Sequence, residues 1–448
     1  MIADIVKPAN RKQTKTVNAS ATTTQYVYPD AGKDLTKVTV NGLTASAALG
    51  NAATDDVAEG KTFSSSNGIL LTGTGAIIPN AHVYGAEWAG GSDPSWTRTD
   101  ESANFSDPNP YYSGMSTTPS SPFDGLMPWA GMRRVSDTNA GELVEIPKFW
   151  YKWTRDGAKM KLQIADNYKP GFYTSPAHAD RGDGVGERDY VYIGRYHCAS
   201  DYLSKTNVLP KNNTTFATFN SGIHNLRSNI WMQDFSMWWT IRMLYLVEFA
   251  NWNSQAMIGY GCGTGSLQNS GLTDNMSYHT GTMLTSKTTF GAGIQYRYIE
   301  DPWANGDEYF SGLFFLDSSP SVYARMYFWV RDIEHLIDYV SWGTYIGQVD
   351  NYNTGFIISS WTTPPGSEQY WLPAPKNGVD SSYTDQYVTD YCSSPSSDSS
   401  NYPQIFRTGG IPNPVNHRGF FFSVPSRTDL AAWDISSRLM VMPSQRIN

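Results

Sequence analysis

The residues best suited to chemistry in this chain are two adjacent carboxylate pairs, Glu300/Asp301 and Asp307/Glu308, within YRYIEDPWANGDEYFSGLFF. A glycoside hydrolase needs two carboxyl groups roughly 5 to 10 Å apart across the scissile bond. Neighbours on one strand point to opposite faces, so neither pair is expected to converge on a substrate. Gly261–Gly265 (GCGTG) is Gly-rich, but no Lys-Ser/Thr follows it as in a phosphate-binding loop, and it reads as a turn. Asp183–Glu187 (DGVGE) lacks the ligand count of a calcium loop. The histidines, among them His178, His197, His224, His279, His335 and His417, show no metal spacing, and no GxSxG or HExxH pattern occurs. No catalytic residue, metal ligand or cofactor is expected. Binding is the chemistry this chain is suited to.

Trp361, Tyr370 and Trp371 flank the stretch TTPPGSEQ, whose two prolines stiffen it. Rigid aromatics on a constrained loop lose little rotamer entropy when they dock, which makes them good anchors. The whole chain is aromatic: 14% Phe, Trp and Tyr, with 28 Tyr and 15 Trp, against only 17% charged residues. Tyr and Trp join large apolar area to a polar handle, which suits interfaces and sugar-binding surfaces. A net charge of −8 and the lack of a Lys/Arg cluster argue against a nucleic-acid partner. Cys198, Cys262 and Cys392 are far apart and odd in number, which implies neither a zinc site nor a disulfide framework. The opening MIADIVKPANRKQTK has no apolar core of a signal peptide. No run approaches the roughly 18 apolar residues of a membrane span, so no membrane insertion is expected.

Three regions are expected along the chain. Residues 1–80 are rich in Thr, Ala, Asn, Gly and Ser, with short β-branched alternations such as DLTKVTVNGL and a turn at Asn67-Gly68. They read as small strands and hairpins with little core of their own. Residues 81–140 are punctuated by GGSDPSW, SDPNPYY and STTPSSPFDG, and read as a linker. Residues 141–448 form the main domain. Within it, Val144–Trp153 and Asp189–Tyr196 read as strands, and Met160–Ile164 pairs back across Asp156-Gly157. Ser236–Ala250 reads as a helix with Trp239, Met243, Leu246, Val247 and Ala250 on one face, and Arg331–Val340 as a second amphipathic helix.

Several phrases of this domain, in fixed order, carry a family resemblance: ELVEIPKFWYKW, DYVYIGRYH, IRMLYLVEFANWNSQAMIGYG, YRYIEDPWANGDEYFSGLFF and ISSRLMVMP. Together they resemble the C-terminal domain of bacteriophage tail-tip and receptor-binding proteins with a C-type-lectin-like fold, a fold shared with formylglycine-generating enzymes. Against that family's WGNVWEFVDG signature, Trp303, Asn305, Glu308, Phe310 and Gly312 match, while Gly306-Asp307 replace the usual Val-Trp. The resemblance implies an α+β, β-rich chain: small N-terminal β modules that attach to a virion, then a lectin-like receptor-binding domain. In such relatives, residues between the GG and SRL elements face the ligand. This adds Asn413, Asn416, His417 and Arg418 of TGGIPNPVNHRGFFF to the expected site. Formylglycine generation needs a cysteine pair near the end of the fold, where this chain has only Cys392, so that activity is not expected. The lectin calcium triplets are missing too, which leaves Glu308 as a buried, hydrogen-bonded core residue. The implied protein is a virion structural adhesin, a homotrimer whose N-terminal segment meets other virion proteins and whose head binds a bacterial surface polysaccharide. A head fibre of the same fold and a tail-associated depolymerase are the alternatives.

Overall fold

Few charges, many aromatics and short β-branched runs favour sheets over long helices, and the observed chain is β-rich α+β. The computed structural model describes residues 12–18, 34–41, 62–65 and 68–72. From 81 to 447 it describes all but 91–92, 157–158, 263–264, 288–289, 318–324 and most of 350–428, where short strands alone are placed. The chain divides into two compact units, Met1–Asn80 and Ala81–Asn448.

In the first unit, Lys12–Asn18 and Asp34–Asn41 pair in parallel. Thr62–Ser65 and Gly68–Thr72 pair antiparallel, with Ser65 opposite Gly68.

The second unit corrects the expected linker. Val83–Trp88 and Trp96–Asp100 form two strands of a five-stranded sheet, in the order Tyr173–Thr174, Trp150–Asp156, Lys159–Ala165, Val83–Trp88, Trp96–Asp100. Trp88, Trp96, Phe123 and Trp129 are core residues. Gly, Pro and Ser mark the turns between these elements, not a spacer. Trp150–Asp156 and Lys159–Ala165 pair antiparallel, as the Asp156-Gly157 turn predicts.

A second sheet runs Ile230–Met232, Leu439–Val441, Tyr190–Gly194, Gly141–Pro147, Arg133–Asp137. A third is built on the long strand Asp307–Asp317, flanked by Arg325–Trp329 and Gln404–Gly409, with Ile435–Ser437 parallel to its start. Gly312 sits in that strand with φ near 81°, at the register shift between Tyr309 and Phe314. A left-handed residue there lets the strand kink around Val330, whose N–H bonds the Gly312 carbonyl.

The helix Phe235–Phe249 lies in the core against Val83–Trp88, Lys159–Ala165 and Asp307–Asp317. The Asp234 side chain caps its start by accepting from the Met237 N–H, and Ala250 ends it in a left-handed turn. The expected one-sided helix is buried on every face. Its two charges are satisfied inside: Glu248 accepts from Arg297, Tyr296 and Ser121, and Arg242 lies 4.3 Å from the Trp238 ring centroid. The second amphipathic helix is reduced to a single 3-10 turn, Ile333–His335, and a short helix at Tyr339–Trp342.

The end of the chain closes this unit. Ile435–Ser437 belongs to the third sheet and Leu439–Val441 to the second, so Arg438 stands between them. All five guanidinium donors are used: Nε donates to Glu308 Oε1 at 2.9 Å, Nη1 to the Gly194 and Arg195 carbonyls, and Nη2 to the Glu300 and Asp301 carbonyls. Burial alone would raise the Glu308 carboxyl, but Arg438, then His197 and Gln233, hold it below its usual value. Arg438→Met is expected to lower the unfolding free energy by about 3–5 kcal/mol, because it leaves Glu308 buried without its cation. Denaturant unfolding of the full chain measures this, and a loss below about 1 kcal/mol would mean that the charge pair is not structural.

Candidate functional site

The two adjacent carboxylate pairs end in the core. Glu300 accepts from the Gly271 N–H, the Thr273 N–H and the Thr273 hydroxyl, which occupies both of its oxygens. Asp301 is 1% exposed and accepts from the Ile294 N–H. Burial, then the neighbouring Glu300, pushes its carboxyl well above the usual range. Asp307 and Glu308 are buried too, so none of the four reaches a substrate. Trp303 donates its indole N–H to the Gly259 carbonyl, and Asn305 brackets the Gln268 backbone on both sides. The signature positions are structural. Cys198 and Cys262 are buried and free, and burial pushes both thiols up, away from reactivity. Among the described residues no group of three His, Cys, Asp or Glu is placed to hold a metal.

Of the expected binding residues, Trp361 lies in the strand Trp361–Thr362, paired with Ala374–Pro375, and its side chain is not described. Tyr370, Trp371, Asn413, Asn416, His417 and Arg418 lie outside the described residues.

A different site stands open in the second unit. A cavity of about 490 Å³ is lined by Trp150, Tyr151, Tyr168, Phe172, Tyr173 and Trp329, together with Thr174, Pro176, Ala179, Asp180, Glu187 and Arg331. The strand Trp150–Asp156 builds its floor by simple alternation. Tyr151 and Trp153 turn inward, and Trp153 stacks on Trp239 of the central helix at 5.7 Å. Trp150 is left half-buried on the outer side. Tyr173–Thr174 pairs with Trp150–Tyr151 as the edge strand and begins the loop that forms the next wall. Tyr168 crosses Trp150 edge-on at 6.5 Å and is 56% exposed.

That loop, residues 175–189, is pinned from below. Ser175 N–H bonds the Phe149 carbonyl, and the Ala177 N–H donates to the Thr240 hydroxyl of the central helix. His178 is fully buried. Its Nε2 faces the Ile146 carbonyl at 3.0 Å, so the proton sits there, and Nδ1 accepts from the Ser175 hydroxyl at 2.6 Å. This Ser–His contact is a pin and not a nucleophile pair, because Ser175 is itself fully buried. Arg181 joins the two walls: its Nε donates to the Arg331 carbonyl at 2.6 Å and its Nη2 to Asp234, the helix cap. At Gly182, φ near 80°, a Cβ would meet Asp332 Oδ2 at 2.5 Å, so the close approach of the walls requires glycine. Thr174 donates to Glu187, and Lys148 bridges Glu187 and Asp189 while lying 5.3 Å from the Trp150 ring centroid.

The arrangement offers a rigid aromatic trough with hydroxyl, carboxylate and guanidinium groups at its margins. Its sequence signal is KFWYKW, where charged and aromatic residues alternate. The partners Tyr168–Glu187 and Trp329–Arg331 come from far along the chain, and no local pattern links them. No family model matches the chain, and no curated protein matches it.

Burial pushes the His178 imidazole down to about 4 from an ordinary 6.5. Between those values the unfolded chain binds a proton that the folded chain excludes, so His178 costs stability as pH falls. The stability difference between the wild type and His178→Gln is expected to shift against the wild type by up to about 1.4 kcal/mol per pH unit in this window. Denaturant unfolding at stepped pH measures it, and a difference constant from pH 7 to 4 would refute the buried neutral imidazole.

Proposed function

We propose that this protein is a non-enzymatic adhesin of a bacteriophage virion, whose second unit binds a saccharide on the bacterial surface. The aromatic cavity at Trp150, Tyr168, Tyr173 and Trp329 carries the proposal. Sugar rings present C–H faces that stack on Trp and Tyr, while their hydroxyls can donate hydrogen bonds to groups such as Thr174, Asp180 and Glu187. Ligand sites of this size are concave and mostly apolar, with a few placed polar groups. The lectin-like family resemblance and the virion setting belong to the same proposal. Residues 1–80 attach to other virion proteins, and a trimeric assembly multiplies weak saccharide contacts.

One observation favours a second reading. Asp180 and Glu187 border the same cavity, as the two carboxylates of a tail-associated depolymerase would. Release of reducing sugar from a bound polysaccharide, abolished by Asp180→Asn with binding intact, would replace the adhesin by that enzyme.

The direct test is binding of the fluorescently labelled full chain to a panel of bacteria and their purified wall polysaccharides. Trp150→Ala/Tyr168→Ala is expected to weaken strain-selective binding by about 2 kcal/mol, roughly thirtyfold. A Trp361→Ala/Trp371→Ala variant beside it tests the loop that sequence alone favours. Selective binding untouched by the first variant and lost in the second would move the site out of the cavity.

A further inference from the structure

The charges around the cavity narrow its ligand beyond a saccharide in general, on the premise that the saccharide reading holds. Three carboxylates stand at its margin: Asp180 and Glu187 in the lining, and Asp189 beside Glu187 on Lys148. Two cations stand against them. The guanidinium of Arg331 lies 5.5 Å from the Trp329 ring centroid. Lys148 Nζ lies 2.6 Å from Asp189, 3.7 Å from Glu187 and 5.3 Å from the Trp150 centroid. Among the described residues of the lining itself, Asp180 and Glu187 stand against Arg331.

Lys148 also shows how this wall treats an ammonium group: the group sits against an aromatic ring with carboxylates beside it. Asp180, across the loop, accepts from the Gly182 N–H and makes no ion pair among the described residues. It stands in the same cavity as Trp150, Tyr168, Phe172, Tyr173 and Trp329. An aromatic wall with an uncompensated carboxylate favours a cation, because the ring quadrupole and the carboxylate attract the same charge. We propose that the cavity recognises a glycan unit carrying a positively charged nitrogen, either a free amine on the sugar or a quaternary ammonium substituent. The sugar ring stacks on the aromatic floor, and the charged nitrogen lies toward Asp180.

Three forms of one probe separate charge from sugar: glucosamine oligosaccharides, their N-acetylated counterparts, and their N-trimethylated counterparts. Calorimetry with the full chain at low salt is expected to show the amine and trimethylammonium forms binding about tenfold more tightly than the N-acetyl form. Asp180→Asn is expected to remove that preference, and Trp150→Ala or the exposed Tyr168→Ala to weaken all forms. Equal binding of the three forms, weakened by Trp150→Ala, would overturn the ammonium inference and leave the saccharide reading intact. Tight binding of the cationic forms that Asp180→Asn, Trp150→Ala and Tyr168→Ala all leave unchanged would be adsorption to the acidic surface. That result would overturn both. Binding to none of the probes would overturn the ammonium inference, and the cell-binding measurement would then decide the saccharide reading alone.

Discussion

A buried guanidinium cannot shed its charge, so the structure around Arg438 must satisfy it completely or not fold. The surrounding elements meet that demand from three directions. Glu308 comes from the third sheet, the Gly194 and Arg195 carbonyls from the end of a second-sheet strand, and the Glu300 and Asp301 carbonyls from the short strand Ile299–Glu300 and the residue after it. Because Arg438 lies between Ile435–Ser437 and Leu439–Val441, one side chain fixes how two sheets meet. The same device recurs. Arg297 ties Glu248 of the central helix to Asp124, Arg195 ties Asp274 to Gln295, and Arg181 ties the helix cap Asp234 to the Arg331 carbonyl. In a chain with only 17% charged residues, buried arginines mark the joints. Aromatic packing supplies the apolar area between them, as where Trp252 meets both Trp88 and Trp96 edge to face.

What could be read from the sequence was local. The central helix is visible in the spacing of its apolar residues, and the hairpin at Asp156-Gly157 in its turn. The burial of that helix on every face is not visible, because Glu248 reads as a polar position until Arg297, Tyr296 and Ser121 arrive from distant segments, while Arg242 lies over Trp238 of the same helix. The stretch 81–140 misleads for a related reason. Its Gly, Pro and Ser mark turns in a compact unit as well as they mark a linker, and only the pairing of Val83–Trp88 with Lys159–Ala165 separates the two. The reading of Glu308 as a core residue comes with the family resemblance, and it sits with Arg438 and His197 in the core.

The cavity is less legible than the fold. KFWYKW announces a strand with an outward Trp, but nothing in it says that Tyr168, Glu187 and Trp329 will face that residue. Asp183–Glu187 offers an instructive case. Weighed as a calcium loop, the segment turns on Asp183 pairing with Arg188, and this leaves Glu187 free to meet Thr174 and Lys148 at the margin of the cavity. Long-range contacts decide the role of each residue there, and no short pattern encodes them.

Recognition by such a cavity depends on when its ordering is paid for. A loop that orders only on binding subtracts that entropy from affinity. Here the wall is ordered by folding: Ser175, Ala177 and His178 are fixed to Phe149, Thr240 and Ile146 before any ligand arrives. A second ring proton would reverse the hydrogen bond between Nδ1 and the Ser175 hydroxyl and place a charge in a fully buried site, which is what burial disfavours. The opposite wall hangs from Arg181, whose other partner is the cap of the central helix. The side chains that shape the cavity and those that stabilise the core therefore belong to one connected network. Changes at its ends are expected to be non-additive, with core variants loosening the cavity before the unit unfolds.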